Sequence, residues 1–81
     1  MTQKTVRVGN GLEARNAALF VQAAGKYQSS VKLQVDDKTI SAKSIMGVIS
    51  LEITEGSNVT VIAEGDDEEN AAVSLGRLLE G

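Results

Sequence analysis

The middle of the chain, residues 31–42, reads VKLQVDDKTISA, and this stretch determines the fold class. Apolar residues occupy every second position from Val31 to Val35, which is typical of a strand that buries one face. Asp36-Asp37-Lys38 follows as a tight turn, and Thr39 to Ala42 then returns as a partner strand. The stretch therefore predicts a β-hairpin with one face in a hydrophobic core.

The segments on either side of this hairpin alternate between strand-like and helix-like patterns. On the N-terminal side we predict a strand from Thr5 to Val8 and a helix from Glu13 to about Lys26. On the C-terminal side we predict a short helical segment from Ile45 to Leu51, a strand from Val59 to Ala63, and a last helix capped by Asp66 and Asp67. The order β-α-β-β-α-β-α indicates an α+β open-faced sandwich, with three helices on one face of a four-stranded, mostly antiparallel sheet.

Both long helices carry apolar residues at helical spacing, and we expect these positions to face the core. In the first helix they are Ala14, Ala17, Ala18, Val21 and Ala24, with Leu19 and Phe20 widening the stripe. In the last helix they are Ala71, Ala72, Leu75, Leu78 and Leu79.

The composition narrows the class of protein. A chain of 81 residues predicts a single domain, residues 1–81. The sequence has no cysteine and no histidine, so we expect no disulfide, no metal site and no cofactor. A net charge of -3 and the presence of only two aromatic residues, Phe20 and Tyr27, argue against nucleic acid as a partner. With no signal peptide and no apolar run of about 18 residues, we expect a cytoplasmic protein that does not span a membrane.

Two segments carry candidate chemistry, and each begins a predicted helix. Residues 11–18 read GLEARNAA, and residues 43–51 read KSIMGVISL. Together they resemble the two motifs of the HPr phosphocarrier family of the bacterial sugar phosphotransferase system. The active-site motif of that family is Gly-Leu/Ile-His-Ala-Arg-Pro-Ala, and its regulatory motif is Lys-Ser-Ile-Met-Gly-Val. The resemblance extends over essentially the whole chain and implies the HPr-like open-faced sandwich.

The first motif departs from the family at its reactive position. Glu13 stands where the family has its phosphorylatable histidine, and Asn16 stands where it has proline, whereas Arg15 is retained. In the family, the imidazole takes a phosphoryl group from a phosphoenolpyruvate-dependent enzyme and passes it to a sugar-specific permease component. A carboxylate is a weaker nucleophile and would form a labile acyl phosphate. We therefore expect neither orthodox phosphocarrier activity nor enzymatic catalysis.

The role of Glu13 has two interpretations. An acidic residue in the first turn of a helix stabilises that helix by a few tenths to about 1 kcal/mol through the helix dipole. Alternatively, its permanent negative charge, paired with Arg15 or with the free N–H groups of the turn, mimics the phosphorylated state of the family's histidine. Equal affinity of the wild type and a Glu13→Gln variant for every candidate partner would exclude the mimicry.

The second motif is intact, and Ser44 lies at the position of a helix N-cap. The resemblance implies a second role for this residue, because in Gram-positive relatives the matching serine is phosphorylated by an ATP-dependent HPr kinase/phosphorylase. The two roles are compatible. A phosphate at a helix start leaves the fold intact while adding nearly two negative charges to the surface.

The apolar residues after Ser44 divide between the core and the surface. Val48 and Leu51 are expected to face the core. The resemblance places Ile45, Met46 and Ile49 on the exposed side, beside the turn that contains Glu13 and Arg15, where an aliphatic and methionine patch marks a protein-binding surface. The alternative is that these three residues also belong to the core.

Three functions are compatible with these features. The leading one is a regulatory adaptor of carbon catabolite control, resembling the histidine-lacking catabolite-repression HPr proteins. In that subgroup the serine-phosphorylated protein binds a LacI-type transcription regulator, and here phosphate on Ser44, Arg15 and the apolar patch would make the contact. The second is a diverged phosphocarrier that docks on phosphotransferase system proteins without transferring phosphate. The third is an acylphosphatase-like enzyme, which is disfavoured because Arg15 and Asn16 are adjacent on one helix and diverge by about 100°.

Overall fold

The computed structural model describes residues 1–9 and 14–81, apart from the side chain of Ala14, and it has the predicted order of elements. The elements are β1 (Thr2–Arg7), α1 (Ala14–Gly25), β2 (Ser30–Val35), β3 (Lys38–Ser41), α2 (Ile45–Ser50), β4 (Asn58–Glu64) and α3 (Glu68–Glu80). The α+β sandwich predicted from the sequence is confirmed.

The sheet has the strand order β1-β4-β2-β3, and each of its three pairings is antiparallel. Its two central strands place Val31 opposite Ala63 and Leu33 opposite Val61. All of these side chains are at most 1% exposed, so the cross-strand pairs line the inner face of the sheet and form one wall of the core.

The predicted hairpin is formed by β2 and β3, and its turn is one residue shorter than the sequence indicated. Val35 pairs directly with Lys38, which leaves Asp36 and Asp37 as a two-residue loop. Asp36 has φ of 55°, a left-handed conformation that aspartate tolerates better than most residues. The strand β3 consequently begins at Lys38 instead of Thr39.

The helix α3 lies along the edge strand β1 and closes the core on that side. At one end, the Thr2 hydroxyl donates to the Glu68 carboxylate at 2.6 Å. At the other end, the Gly9 amide donates to the Leu79 carbonyl at 2.8 Å. Because β1 is held at both ends, it begins at Thr2 and pairs with β4 from there, earlier than the predicted start at Thr5.

The helix α1 completes the core and contacts both α2 and α3. Ala17, Phe20 and Ala24 are its buried residues. This stripe is narrower than predicted, because Leu19 is 57% exposed. The same correction applies to α3, where Leu79 is buried but Leu78 is 50% exposed. In both helices the exposed leucine is one position, or about 100°, away from the buried stripe.

The predicted cap of α3 is also wrong in its chemistry. Asp67 is the N-cap residue, but its side chain makes no hydrogen bond to an amide of its own helix. The carboxylate instead accepts the amides of Gln28 and Ser29, both at 2.9 Å. The loop between α1 and β2 offers these donors from outside the helix, so the carboxylate joins α3 to this loop instead of accepting an amide of the helix.

Candidate functional site

Ser44 is the N-cap of α2. Its backbone is extended, with φ of -108° and ψ of 114°, and its Oγ accepts the amide of Gly47 at 3.1 Å. The Ser44 carbonyl accepts the amide of Val48 at 2.9 Å, which closes the first turn of the helix. The residue is exposed. The predicted cap is confirmed, and the serine is open to solvent.

Gly47 has a steric role in this cap. A Cβ at this position would lie 3.3 Å from the Ser44 Oγ and 3.4 Å from the Ile40 Cβ. The first distance is tighter than usual packing and the second is at the lower limit of ordinary van der Waals contact, so a side chain here would press mainly on the cap hydroxyl. The glycine of the second motif therefore allows α2 to begin close to the hairpin.

Lys43 ties the segment before α2 to the end of α1. Its Nζ donates to the Tyr27 carbonyl at 2.9 Å, just beyond the last residue of α1. Its backbone amide donates to the Ser41 hydroxyl at 3.2 Å. This contact cannot be predicted from the sequence, because a lysine two residues before a helix has no distinguishing local pattern. The contact holds the ammonium group of the residue before Ser44 at the Tyr27 carbonyl.

The apolar residues of α2 divide into an exposed pair and a buried set. Ile45 is 44% exposed and Met46 is 76% exposed, as the interface interpretation requires. Val48 and Leu51 are buried, as predicted. Ile49 is half-buried and packs against the core, so its expected place on the exposed side is only partly correct. In a helix of only two turns that packs on the core, the last turn is partly buried and partly exposed.

Leu19 is a further exposed apolar residue, and it lies on α1, the helix that contacts α2. Its sequence context predicts a place in the core stripe, because a leucine between two alanines and a phenylalanine fits a broad apolar face. Its 57% exposure shows that α1 also carries an apolar side chain that the core does not cover. We keep the name apolar patch for the exposed residues Ile45 and Met46 of α2 together with the half-buried Ile49.

The first motif is described only in part. Glu13 lies outside the described residues, whereas Arg15 is exposed in the first turn of α1. The contact seen between Lys43 and Tyr27 joins the start of α2 to the C-terminal side of α1. Arg15 precedes Gly25 by ten residues, about 15 Å along the helix axis. Arg15 thus lies at the end of α1 that is remote from this contact. The joint action of Arg15 and Ser44 in binding a partner stays a prediction.

Two carboxylates near the start of α3 have perturbed acidity, and both lie outside α1 and α2. The Ser29 hydroxyl, followed by the Gln28 amide, holds the pKa of Asp67 below its usual range. The Thr2 hydroxyl and the N-terminal ammonium group lower the pKa of Glu68. Both carboxylates accept hydrogen bonds that hold α3 to the α1–β2 loop and to β1. Their lowered pKa values therefore reflect contacts that stabilise the fold.

Neither a metal cluster nor a membrane-spanning helix is found in the part of the chain that the structure describes. Across residues 1–9 and 14–81, no three acidic side chains gather to hold a metal ion. Within the same ranges, no helix combines the length and the apolar character needed to cross a membrane.

Comparison with known proteins shows a family whose members resemble this chain along most of its length. The family described as "PTS HPr component phosphorylation site" matches residues 2–81. The HPr-like protein Crh of Bacillus subtilis is 51% identical over 70 residues, 86% of this chain and 82% of that protein. The phosphocarrier protein HPr of Treponema pallidum is 44% identical over 82 residues, 99% of this chain and 93% of that protein.

The fold is shared with a solved HPr structure. The crystal structure of the phosphocarrier protein HPr from Bacillus anthracis superposes with a TM-score of 0.92 at 46% identity, covering 96% of this chain and 95% of that one. The match extends across the whole sandwich. This chain therefore belongs to the HPr family of the phosphotransferase system, in which it is a Crh-like, non-catalytic regulatory protein.

Proposed function

We propose that this chain is a cytoplasmic regulatory adaptor of bacterial carbon catabolite control, switched by phosphorylation at Ser44. The observation that carries the proposal is the setting of Ser44, which is exposed, caps α2 and is followed directly by the exposed Ile45 and Met46. A phosphate there would adjoin an apolar surface that a partner protein can cover. Since Glu13 replaces the family's histidine, the adaptor does not carry phosphate on its first motif.

Phosphorylation at Ser44 is compatible with the local hydrogen bonding. The Oγ already accepts the Gly47 amide, and a phosphate oxygen can accept the same donor while the modification adds nearly two negative charges. The residue before Ser44, Lys43, has its ammonium group at the Tyr27 carbonyl. The modified protein thus keeps its fold and presents a new anion beside the apolar patch.

The partner we propose is a LacI-type catabolite control regulator, and the modifying enzyme is HPr kinase/phosphorylase. Support comes from the resemblance of the second motif and from the Crh-like relatives, one of which is described as the Bacillus subtilis catabolite repression HPr. In this complex the phosphate and Arg15 provide the polar contacts, and Ile45, Met46 and the partly buried Ile49 provide the apolar ones.

The first experiment is incubation with HPr kinase/phosphorylase and ATP, followed by intact mass spectrometry. We expect one added phosphate on the wild type, none on Ser44→Ala and one on Ser50→Ala, a matched exposed serine six residues along the same segment. A wild type that gains no phosphate, or gains it elsewhere, contradicts the proposed switch.

The second experiment measures binding of the two forms to a LacI-type regulator by fluorescence anisotropy. We expect the phosphorylated form to bind and the unmodified form to bind at least about tenfold more weakly, because charged hydrogen bonds are lost. Equal affinity of the two forms would show that phosphorylation is not the switch.

A second candidate is docking on phosphotransferase system proteins without phosphoryl transfer. The exposure of Ile45 and Met46 favours it, since this surface is present before any modification. Here the unmodified protein would compete with HPr for its phosphoenolpyruvate-dependent enzyme while gaining no phosphate itself.

Hydrolysis of acetyl phosphate by purified protein would instead support the acylphosphatase-like alternative.

A further inference from the structure

A groove of about 190 Å³ runs between β1 and the outer side of α3. Lys4 and Val6 of β1 form one wall, and Val73, Arg77 and Glu80 of α3 form the other. None of the residues that line it belongs to α1 or α2, so it is separate from Ser44 and the apolar patch. A ligand of this groove would therefore contact other residues than those of the function proposed above.

The groove lies beside a sheet edge that still has free backbone groups. β1 is the terminal strand of the sheet and pairs only with β4. The Val8 amide donates to the Ser57 carbonyl opposite it at 2.8 Å, and antiparallel residues alternate between bonded and non-bonded pairs. Gln3, Thr5 and Arg7 therefore point their backbone N–H and C=O groups away from β4.

The side chains confirm this alternation. The hydroxyls of Thr5 and Thr60, which face each other across the two strands, lie 2.9 Å apart. Such close side-chain contact is typical of a non-bonded pair, whose backbone groups point outward. An extended segment placed along β1 would find these donors and acceptors unused.

The charge of the groove is mainly positive. Lys4 and Arg77 are both exposed, and the one ion pair within residues 1–9 and 14–81 joins the N-terminal ammonium group to Glu68. Among these residues neither cation has a carboxylate within ion-pair distance, and the lining holds two cations, Lys4 and Arg77, and one carboxylate, Glu80. Val6 and the 36%-exposed Val73 supply an aliphatic surface between the polar groups.

We propose that the free edge of β1 binds an extended acidic segment of a partner protein by β-strand addition. Main-chain bonds to Gln3, Thr5 and Arg7 would hold the segment. Its alternate side chains would enter the groove, with carboxylates near Lys4 and Arg77 and an aliphatic residue on Val6 and Val73.

A second copy of this chain is a poor occupant of the same edge. β1 contains Lys4 and Arg7 and no acidic residue, and the other edge strand, β3, begins with the cation Lys38. Pairing β1 with either strand of a second copy would bring like charges together across the new ladder, which is unfavourable. The basic edge selects a segment of opposite charge.

The test uses an acetylated and amidated heptapeptide, Thr-Glu-Thr-Val-Thr-Glu-Thr, whose glutamates and valine share one face. Titration into isotopically labelled protein is followed by amide chemical shifts. We expect saturable shifts at Gln3, Thr5, Arg7 and Arg77, and weaker binding as salt increases. The matched peptide with lysine in place of glutamate should bind at least about fivefold more weakly.

Charge reversal tests the same contacts from the protein side. The double variant Lys4→Glu/Arg77→Glu should reverse the preference between the two peptides, whereas Lys38→Glu at the opposite edge should preserve it. Three outcomes overturn the proposal: shifts confined to α1 and α2, equal affinity for both peptides, or concentration-dependent self-association through β1 that the peptide does not reduce.

Discussion

The Asp67 carboxylate bonds to Ser29 instead of capping the helix that Asp67 begins. Its Oδ1 accepts both the Ser29 amide, at 2.9 Å, and the Ser29 hydroxyl, while its Oδ2 accepts the Gln28 amide. Ser29 is only 1% exposed. The start of α3 is thereby joined to the loop that leads into β2, and two parts of the chain 38 residues apart are held by one side chain.

Removing either partner of this contact should destabilise the fold. We expect Ser29→Ala to lower the urea midpoint of unfolding, because a hydroxyl bond from a buried serine to a charged acceptor is lost. We expect Asp67→Asn to lower the urea midpoint as well, since an amide cannot accept at both of its terminal atoms. Asp66→Asn, an exposed neighbour with no such bonds, is the control and should leave the midpoint unchanged.

Stability should fall in acid because of Asp67 and Glu68. Both have a pKa lowered in the folded state, from ordinary values of 3.8 and 4.5. The unfolded chain therefore binds protons first, and the stabilisation is complete above about pH 5 and is lost as the pH falls through the lower folded values. Urea midpoints measured across the acid range test this, and the loss should be smaller in Asp67→Asn.

The amino terminus should have the opposite pH dependence. Its bond to Glu68 raises its pKa above the ordinary value of 8.0. Its contribution is therefore fully present below pH 8.0 and is lost as the pH rises through the higher folded value. A stability profile with no alkaline decline, or one unaltered by Glu68→Gln, would contradict the role of this ion pair.

Gly9 should not tolerate a side chain. A Cβ there would lie 1.9 Å from the carbonyl oxygen of Glu80, a backbone atom that a rotamer change cannot move. We expect Gly9→Ala to cost about 1–3 kcal/mol as the end of α3 is displaced. Gly25→Ala is the matched control: nothing lies within 4 Å of its Cβ, and the helix should gain roughly 0.5–1 kcal/mol. Equal unfolding free energies for the two variants would refute the close approach.

Ser44 should contribute to stability separately from any regulatory role. We expect Ser44→Ala to lower the free energy of unfolding by roughly 0.5–1 kcal/mol, because the Gly47 amide loses its acceptor. Ser44→Asp should recover the loss, since aspartate caps as well as serine. Thermal unfolding is the measurement, with the exposed Ser74→Ala as the control. If Ser44→Ala has the same unfolding free energy as the wild type, the hydroxyl contributes little to the stability of the fold.

Met46 should matter for binding and not for folding. Its side chain is 76% exposed, so Met46→Ser should leave the unfolding free energy nearly unchanged. We expect the phosphorylated variant to bind a LacI-type regulator about tenfold more weakly, as for an apolar residue central to an interface. Leu78→Ser, at an exposed leucine of α3, is the control for lost surface hydrophobicity. Comparable losses in both variants would place the interface elsewhere.

The order of elements and the hairpin could be predicted because their signals are local. Alternation from Val31 to Val35 and the aspartate turn after it depend only on neighbouring residues, and so does the serine cap of α2. The limits of β1 were less predictable. Its first residues have no strong strand pattern, and they form a strand because β4 and α3 hold them.

The sequence by itself determined the fold class, the family motifs and the loss of the reactive histidine, since each is a matter of residue type and spacing. Only the tertiary structure decided that Leu19 faces solvent, that Ile49 packs partly inward and that Asp67 serves a distant loop. The physical reason is that burial and long-range hydrogen bonds depend on what the other elements place opposite a residue. A helix pattern defines a stripe, but its neighbours decide which edge of the stripe is covered.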